Sequence, residues 1–370
     1  MKKSVFTLVL ITGILMCNSA FTLELGRPAP AVKAELCDRD ALPCAKRLMK
    51  FLTDNYGTHI ISGQMDLTWN DRTDMAGRVF RDTGKYPALM GYDLMNAQSG
   101  SGSGLQQISE AEAWWNRGGI VQLMYHWRDP SARPKGTGDF YTKDTSFRIP
   151  YDADAGKWMS RENGYADHAA YDAMMKDIDF MAKELSVLQD KDIPVLWRPL
   201  REASGGWFWW GAGGSTPYVA LYRLMYTYLT KTKGLHNLIW IWNGQDKAWY
   251  PGDDCVDVIG DDVYTSPRYY GSQFAEYYKC SRMSSDADNN PKLVALSECG
   301  VIPSPGQLKD DGAWWSWFMV WNDANGREGA DSKDSFWTGE YYNDNQHKKD
   351  VYNSEYVITL DRMPDLKTYK

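Results

Sequence analysis

The sequence contains no run of lysine or arginine, and its 370 residues carry a formal net charge of −7. Proteins bind nucleic acid largely through clustered cationic side chains that neutralise phosphates, so this charge balance argues against a nucleic-acid partner. After the first twenty residues, no apolar stretch is long enough to cross a bilayer. We therefore expect no membrane partner once that N-terminal segment is removed.

Motifs for phosphate, metal and serine chemistry are also missing. The Gly/Ser-rich stretch 98–104 opens no phosphate-binding helix, and the sequence G-x-S-x-G is absent. Asp261 and Asp262 are adjacent acids, but no histidine or cysteine accompanies them at the spacing of metal ligands. We therefore expect neither a cofactor nor a metal ion.

Cysteine is scarce, with six residues, and one of them, Cys17, lies in the N-terminal segment. The remaining count is odd, so at least one thiol stays free even in an oxidising compartment. Sequence spacing does not determine the pairing. Our expectation is two local pairs and one buried thiol at the end of an apolar strand: Cys37 with Cys44, Cys255 with Cys280, and Cys299 alone.

Residues 1–20 have the features of a secretory signal peptide. Two lysines precede a mostly apolar run from Val5 to Met16, and small residues that suit cleavage follow it. The sequence Leu-Met-Cys at 15–17 loosely resembles a lipoprotein processing site, which makes lipid attachment the minor alternative. We expect a secreted monomer in which residues 21–370 form one domain.

Aromatic residues are abundant: they make up 14% of the chain and include 17 Trp and 23 Tyr. Aromatic rings stack on the apolar faces of pyranose rings, so this composition favours a carbohydrate-active protein. An aromatic-rich core is the alternative that composition leaves open.

Apolar, β-rich segments alternate with helical stretches along the chain. Helices are predicted at 40–55, 167–189 and 217–233, and a last strand or closing helix at 354–361. Eight strands in this length predict a single (β/α)8 barrel; an open doubly wound sheet would need a phosphate-binding turn that is absent. The predicted strands are 59–64, 86–94, 119–127, 193–200, 238–243, 256–264, 293–300 and 315–322.

The strongest catalytic signal is a buried strand that ends on Arg201 and Glu202, followed by two glycines and four aromatic residues at 207–210. On the opposite side of the barrel, the apolar strand 293–297 is followed directly by Glu298. Glycoside cleavage needs two carboxylates that face each other across the bond, with Glu202 as acid/base and Glu298 as nucleophile in a retaining reaction. The alternatives are a solvated loop glutamate and a salt-bridged structural one.

Other side chains at strand ends could support this chemistry. Arg198 shares the strand parity of the acid/base, so both are expected to project into the barrel, where the arginine either helps to ionise a carboxylate or only packs. Tyr264 could donate to the nucleophile or be a core tyrosine, and His126 could bind a sugar hydroxyl or be structural. The long loop 128–165 is expected to overhang this rim.

The stretch W-R-P-L-R-E-A-S-G-G-W-F-W-W-G at 197–211 resembles the acid/base motif of glycoside hydrolase family 26. Further segments resemble that family in the same order: S-G-Q at 62–64, H-W at 126–127, D-D-V-Y at 261–264, A-L-S-E at 295–298, W-N-D at 321–323 and Y-V-I-T-L-D-R-M-P at 356–364. The family is dominated by endo-β-1,4-mannanases. The resemblance therefore implies a (β/α)8 barrel, retaining cleavage of mannan-type polysaccharides and no metal requirement.

Carried over by position, the resemblance makes Glu202 the acid/base and Glu298 the nucleophile. It also implies sugar-binding positions around the cleavage point. Trp127, next to His126, and Arg201, next to Glu202, are included in this prediction, and Trp158 is added by a looser assignment. The predicted substrate-binding residues are therefore His126, Trp127, Trp158, Arg201, Trp207, Tyr264 and Trp321.

One position departs from the family pattern, because Arg201 stands where the family usually has histidine. Arginine carries a fixed charge and a forked set of donors, so it should favour the ionised form of the neighbouring Glu202 and shift the acidic side of the pH optimum. The departure weakens the assignment to mannan. The family also includes β-1,3-xylanases and β-1,3-1,4-glucanases, and a non-catalytic polysaccharide-binding barrel is the alternative of another class.

Overall fold

The structure is a computed structural model, and it describes residues 26–67, 74–95, 102–132, 140–166, 168–322, 331–333 and 335–370, without the side chains of 102–105. The signal peptide predicted for residues 1–20 lies outside the described residues. Among the residues that are described, no helix is both long and apolar enough to cross a membrane.

Eight parallel strands form a closed barrel, as the alternation of the sequence predicted. Neighbouring strands pair in chain order around the sheet, and pairing between the last and the first strand closes it. Each predicted strand is present, with ends that differ by a few residues. The barrel strands are β1 (Ile60–Met65), β2 (Leu89–Asp93), β3 (Ile120–Met124), β6 (Val195–Arg198), β7 (Leu238–Trp242), β8 (Val258–Val263), β9 (Leu293–Cys299) and β10 (Trp317–Val320).

Helices surround this barrel. The three predicted helices are present, and the one predicted at 217–233 continues beyond its α-helical part as a wider π-helical turn, Tyr228–Thr232. The helices are α1 (Pro43–Asn55), α2 (Met75–Thr83), α3 (Gly102–Asn116), α4 (Ala169–Gln189), α5 (Ser215–Thr227), α6 (Phe274–Ser281), α7 (Pro305–Asp311) and α8 (Asn345–Tyr352).

Three short strands lie outside the barrel wall. A hairpin, β4 (Tyr151–Asp152) and β5 (Lys157–Trp158), is part of the long loop after β3. Near the C-terminus, β11 (Val357–Ile358) pairs with the start of β1, and a short 3-10 turn follows it. The segment predicted as a strand or a closing helix is therefore a short strand.

The core explains both the apolar strands and the high tryptophan content. Almost every residue of the barrel strands is buried, because the strands are covered by the barrel interior on one face and by helices on the other. Many of the largest fully buried side chains are indoles, including Trp197, Trp240 and Trp317. Much of the aromatic content is therefore core, which was the alternative interpretation of the composition.

The predicted disulfides are wrong, because all five cysteines in the described part of the chain are free thiols. Cys255 Sγ donates to the carbonyl of Gly252, whereas Cys280 Sγ donates to the carboxylate of Asp261 on β8. The two sulfur atoms thus have separate partners, and sequence proximity did not predict pairing. Cys299 is buried and unpaired, as expected.

Candidate active site

Glu202 lies beyond the end of β6 and is positioned by an unusual backbone. Leu200 and Glu202 have φ angles of 53° and 54°, in the left-handed region that residues other than glycine rarely adopt. Such a conformation costs about 1–3 kcal/mol per residue and is found where the surrounding structure enforces it, often in active sites. Here the Glu202 amide donates to the backbone oxygen of Asn243 at 2.6 Å and to its Oδ1 at 3.0 Å.

Glu298 lies within β9, at a bulge. Asp261 of β8 pairs with Leu296, and the next residue, Asp262, pairs with Glu298, so Ser297 is an extra residue in the strand. The register shifts in the same region against the strand on the other side, β10. A bulge changes the direction of the side chains beside it. The Glu298 carboxylate is buried in the mouth of the barrel, opposite the end of β6.

Three donors hold the Glu298 carboxylate. Arg198 donates to Oε1, Tyr264 donates its hydroxyl to Oε2 at 2.7 Å, and Arg201 Nη1 lies 3.2 Å from Oε1. Burial alone would raise the pKa of Glu298, but the charges of Arg201 and Arg198 outweigh burial and lower it. Glu298 is therefore an ionised carboxylate, which is the form that a nucleophile requires.

Asp262 is a third carboxylate in this centre. Arg198 Nη1 donates to both of its oxygens at 3.1 Å, and Asn243 and Ser297 donate to its Oδ1 at 2.9 and 2.8 Å. Burial, and next the charge of Glu298, raise the pKa of Asp262. The prediction that Arg198 projects into the barrel beneath a carboxylate is confirmed.

The closeness of these acids raises the question of a metal ion. One carboxylate oxygen from each of Glu202, Asp262 and Glu298 lies within 4.8 Å of the other two. Two guanidinium groups, those of Arg198 and Arg201, already pair with these acids. A divalent cation would have to displace them, so this set of residues fits paired charges better than metal coordination.

Arg201 connects the two glutamates to a histidine behind them. Its Nη1 donates to Glu202 Oε2 at 2.8 Å, and its Nη2 contacts His126 Nε2. The other ring nitrogen of His126 contacts the carboxylate of Asp93, whose Oδ1 also accepts from the His126 amide at 3.0 Å. Burial, and then the charge of Arg201, lower the pKa of His126. A neutral ring that donates from Nδ1 to Asp93 and accepts at Nε2 from Arg201 satisfies both contacts.

This network gives His126 structural contacts, one of the two roles expected for it. The ring is 4% exposed and lies between Asp93 and Arg201. Arg201 is the residue that contacts both glutamates, and His126 contacts Arg201 through its Nε2 atom.

Trp207 is the one aromatic residue of the 207–210 group that faces solvent, with 45% of its surface exposed. Its indole Nε1 donates to Glu202 Oε2 at 3.1 Å. A side chain at Gly205 would lie about 2 Å from this ring, so the glycine is what allows the indole to fold back over its own loop. The other three aromatic residues of this group are buried, namely Phe208, Trp209 and Trp210.

Trp321 and the long loop complete the surroundings of Arg201. The guanidinium carbon of Arg201 lies 5.1 Å from the centroid of Trp321 and 5.0 Å from that of Phe208, which is cation–π distance. Phe140 of the long loop packs on His126 with 4.8 Å between ring centroids. The described part of this loop therefore does reach the rim, as expected, and residues 133–139 lie outside the described structure.

Two predicted substrate-binding residues lie away from the glutamates. Trp127 is 1% exposed, and its Nε1 donates to Asp177 of α4 at 2.7 Å. Trp158, on the hairpin, packs against Tyr151 and Tyr171. In the described contacts, neither indole reaches Glu202 or Glu298. The structure gathers the other predicted residues around these two glutamates: His126, Arg201, Trp207, Tyr264 and Trp321.

Three functional residues were missed or undervalued in the sequence. Asp93 is the last residue of β2, and Asn243 directly follows β7. In the sequence, the position at a strand end was the only indication that either residue belongs to the site. Asp262 was considered only as a weak metal ligand. Each acts through a partner that is distant in sequence, such as His126 for Asp93, and strand-end position alone does not identify that partner.

The arrangement can perform acid/base and nucleophilic chemistry on one bond. The buried, ionised Glu298 is held by three donors. One carboxylate oxygen of Glu202 lies within 4.8 Å of one carboxylate oxygen of Glu298. The exposed indole of Trp207 provides an apolar surface directly beside Glu202.

Comparisons with known proteins identify relatives that are similar over most of this chain. The chain is 37% identical over 358 residues to a mannan endo-1,4-β-mannosidase of Thermothelomyces thermophilus, covering 94% of this chain and 67% of that protein. It is 32% identical to mannan endo-1,4-β-mannosidase B of a Piromyces species, covering 89% of this chain but only 53% of the relative, so it spans about half of that protein.

A solved structure extends the comparison to the fold. The β-mannanase from a symbiotic protist of the termite Reticulitermes speratus, complexed with gluco-manno-oligosaccharide, superimposes with a TM-score of 0.75 at 30% identity, covering 91% of this chain and 99% of that one. The family described as Glycosyl hydrolase family 26 matches residues 37–362. The chain therefore belongs to glycosyl hydrolase family 26.

Proposed function

We propose that the protein is an endo-β-1,4-mannanase that hydrolyses internal bonds of mannans by a retaining mechanism. The observation that carries the proposal is the opposed pair Glu202 and Glu298, with carboxylate oxygens within 4.8 Å of each other beside the exposed Trp207. Retaining glycosidases have carboxyl groups about 5–5.5 Å apart, whereas inverting enzymes need a wider gap for water. The names of the relatives support mannan as the polymer.

In the first step, Glu298 attacks the anomeric carbon of the sugar. The bond to the leaving oxygen breaks as Glu202 transfers its proton to that oxygen, and a covalent glycosyl ester forms on Glu298. Tyr264 and Arg198 hold the attacking carboxylate in one orientation, which reduces the loss of side-chain freedom at the transition state.

In the second step, the ionised Glu202 removes a proton from water. The water oxygen attacks the anomeric carbon, and the ester bond to Glu298 breaks to regenerate the carboxylate. Arg201 contacts both glutamates, so its fixed positive charge lies near whichever carboxylate is ionised at each stage. Two inversions return the β configuration to the product.

The test of substrate class is reducing-sugar release from linear mannan, galactomannan, mixed-linkage glucan and β-1,3-xylan. We expect clear activity on the mannans together with a fast loss of viscosity, which reports internal cleavage. Glu298→Gln is the inactive control, and Glu355→Gln, an exposed glutamate near the C-terminus, is its matched surface control. Activity on glucan or xylan alone would overturn mannan as the substrate, and binding without hydrolysis of any polymer would indicate a non-catalytic barrel.

The stereochemical proposal has its own test. Proton NMR during the first minutes of hydrolysis should show the β-anomer of the new reducing end before mutarotation mixes the anomers. An initial α-anomer would overturn the retaining mechanism while leaving the two carboxylates in place.

We also propose that the protein is secreted, with residues 1–20 removed as a signal peptide. The support is the sequence alone, in which a positive start precedes an apolar run. N-terminal sequencing of the exported protein should begin shortly after Ala20. A lipid-modified Cys17 at the N-terminus would instead establish the lipoprotein alternative.

A further inference from the structure

Exposed aromatic rings are concentrated on one face of the barrel. In the described structure, seven large hydrophobic side chains are exposed, and five of them lie on loops that follow barrel strands, the face where (β/α)8 enzymes bind substrate. Grouped exposed rings mark binding sites more often than scattered ones do. The five are Tyr141, Trp207, Tyr264, Tyr269 and Tyr341.

A series of ring contacts leads outward from the nucleophile. Tyr264, which donates to Glu298, packs on Phe336 with 5.4 Å between centroids. Phe336 packs on Tyr342 at 4.5 Å, and Tyr342 meets Tyr341 edge-on at 5.0 Å. These ring contacts, with the buried Phe336 as a link, lead from Tyr264 to Tyr341, which is 54% exposed.

The loop that carries Tyr269 is hydrogen-bonded to the loop that carries Tyr341. Arg268 donates from Nε and Nη2 to the carbonyl of Glu340 at 3.1 and 2.7 Å, and its amide donates to the carbonyl of Tyr342 at 2.9 Å. The backbone of Arg268 is left-handed, with φ of 61°, a strain that these contacts maintain. The ring beside it, Tyr269, is 58% exposed.

The segment under Tyr341 is also held rigidly. The buried Lys348 donates to the carbonyls of Trp337 and Gly339 at 2.6 and 3.0 Å. Asn343 donates to the carbonyls of Gly300 and Phe336 at 2.7 and 3.0 Å. Rings fixed in this way lose little freedom on binding, which favours affinity.

We propose that Tyr269 and Tyr341 form a distal subsite that binds sugar units of the same neutral polysaccharide, beyond those at the catalytic glutamates. The ring contacts described above join Tyr341 to Tyr264 beside Glu298, so the occupant that we infer is a polymer chain that also enters the catalytic cleft. This inference rests on the proposed function.

The charged side chains beside the two rings are already hydrogen-bonded within the protein, which favours recognition through the ring faces. The Arg268 guanidinium is already engaged by a backbone carbonyl, and Glu340 Oε1 accepts from the Asn345 amide at 3.0 Å. The free faces offered to a ligand are therefore those of the tyrosine rings. Stacking on the apolar face of a hexopyranose is the recognition that such rings provide.

The test compares Tyr269→Ala, Tyr341→Ala and the double variant with the wild type on mannan and on manno-oligosaccharides of increasing length. We expect KM on the polymer to rise about tenfold per ring, with little change in kcat, and the effect to shrink as the oligosaccharide shortens. Tyr278→Ala is the matched control, because this tyrosine is 38% exposed but lies on α6, away from the strand-end loops. It should behave as the wild type.

Phenylalanine variants and a binding assay make the result decisive. Tyr269→Phe and Tyr341→Phe should retain wild-type KM, since the ring face is what binds. An unchanged KM in the double alanine variant, or a rise of equal size on all substrate lengths, would overturn the distal subsite.

Affinity electrophoresis in galactomannan gels, with Glu298→Gln as background, measures binding separately from turnover. A protein without hydrolysis but with tyrosine-dependent retardation would refute the proposed function alone.

Discussion

At the scale of single residues, Arg201 connects several groups of the candidate active site. Its guanidinium contacts Glu202, Glu298 and His126 and lies between the rings of Phe208 and Trp321. Burial would lower the pKa of Arg201, but the charges of Glu298 and Glu202 raise it, so the group stays cationic. A histidine at this position could lose its charge near neutral pH, whereas arginine cannot.

Removal of this charge should change the pH dependence of catalysis. Arg201 lowers the pKa of Glu298, and Glu298 must be ionised to attack, so Arg201→Gln should raise that pKa and move the acidic limb of kcat/KM to higher pH. Arg201→Lys keeps a positive charge but not the fork, and should show a smaller shift. The measurement is the pH profile of kcat/KM. An unmoved acidic limb in Arg201→Gln would contradict the electrostatic role.

The role of Glu202 can be separated from that of Glu298 through the leaving group. Glu202→Ala should slow polymer cleavage by about 10²–10⁴-fold, because an unactivated alcohol needs a proton to depart. Aryl glycosides with acidic phenols leave without that help, so their first step should be far less affected. Steady-state kinetics on both substrate types make the comparison. Equal losses on both would argue against an acid/base role.

At the scale of elements, two local distortions of the barrel bring the carboxylates together. The left-handed turn after β6 positions Glu202, and the bulge in β9 positions Glu298. Strand parity predicted an inward direction for both Arg198 and Glu202, and both side chains do reach the centre that contains Glu298. Glu202 lies outside the regular strand, so the left-handed turn rather than strand parity directs it there. The loop after β6 then folds back, so that the indole of Trp207 donates to the Glu202 carboxylate.

Gly205 makes that return possible, and its substitution provides a prediction for the element. A Cβ at Gly205 would collide with the Trp207 ring, so Gly205→Ala should displace the indole and raise KM for mannan about tenfold, with a melting temperature near that of the wild type. Gly306→Ala is the control, since its Cβ meets nothing closer than 3.9 Å. Unchanged kinetics in Gly205→Ala would show that Trp207 does not contact substrate.

At the scale of the whole molecule, the described residues are stabilised by the closed barrel and its core, without a disulfide among them. The closure of β10 on β1 leaves no free edge among the barrel strands. The thiols of the described residues are unpaired, and burial raises the pKa of Cys299 and Cys280. Buried, protonated thiols react slowly.

Thiol chemistry therefore gives a prediction for the folded molecule as a whole. The melting temperature should be the same with and without a reducing agent, because none of the cysteines in the described residues forms a disulfide. In guanidinium, a thiol reagent should titrate five cysteines in protein lacking residues 1–20, and far fewer in the native state. A lower melting temperature on reduction, or fewer than five thiols after unfolding, would indicate a disulfide.

Local sequence patterns determined much of this protein. Apolar runs of strand length alternate with helical periodicity, and each depends only on residues near one another, so the eight strands and the barrel could be predicted. The closeness of Glu202 and Glu298 could also be predicted, because each follows or ends an apolar run and strand ends of a (β/α)8 barrel meet on one face.

Only the tertiary structure decided which side chains act together. The contacts Arg198–Glu298 and Arg201–His126 join residues 100 and 75 positions apart, and no local pattern encodes such pairs. The same applies to the burial of Trp209 and the separate partners of the cysteines. Periodicity follows from the geometry of one segment, whereas burial and charge pairing follow from the packing of several, so the sequence determined the barrel and its two carboxylates, and packing determined how they are held.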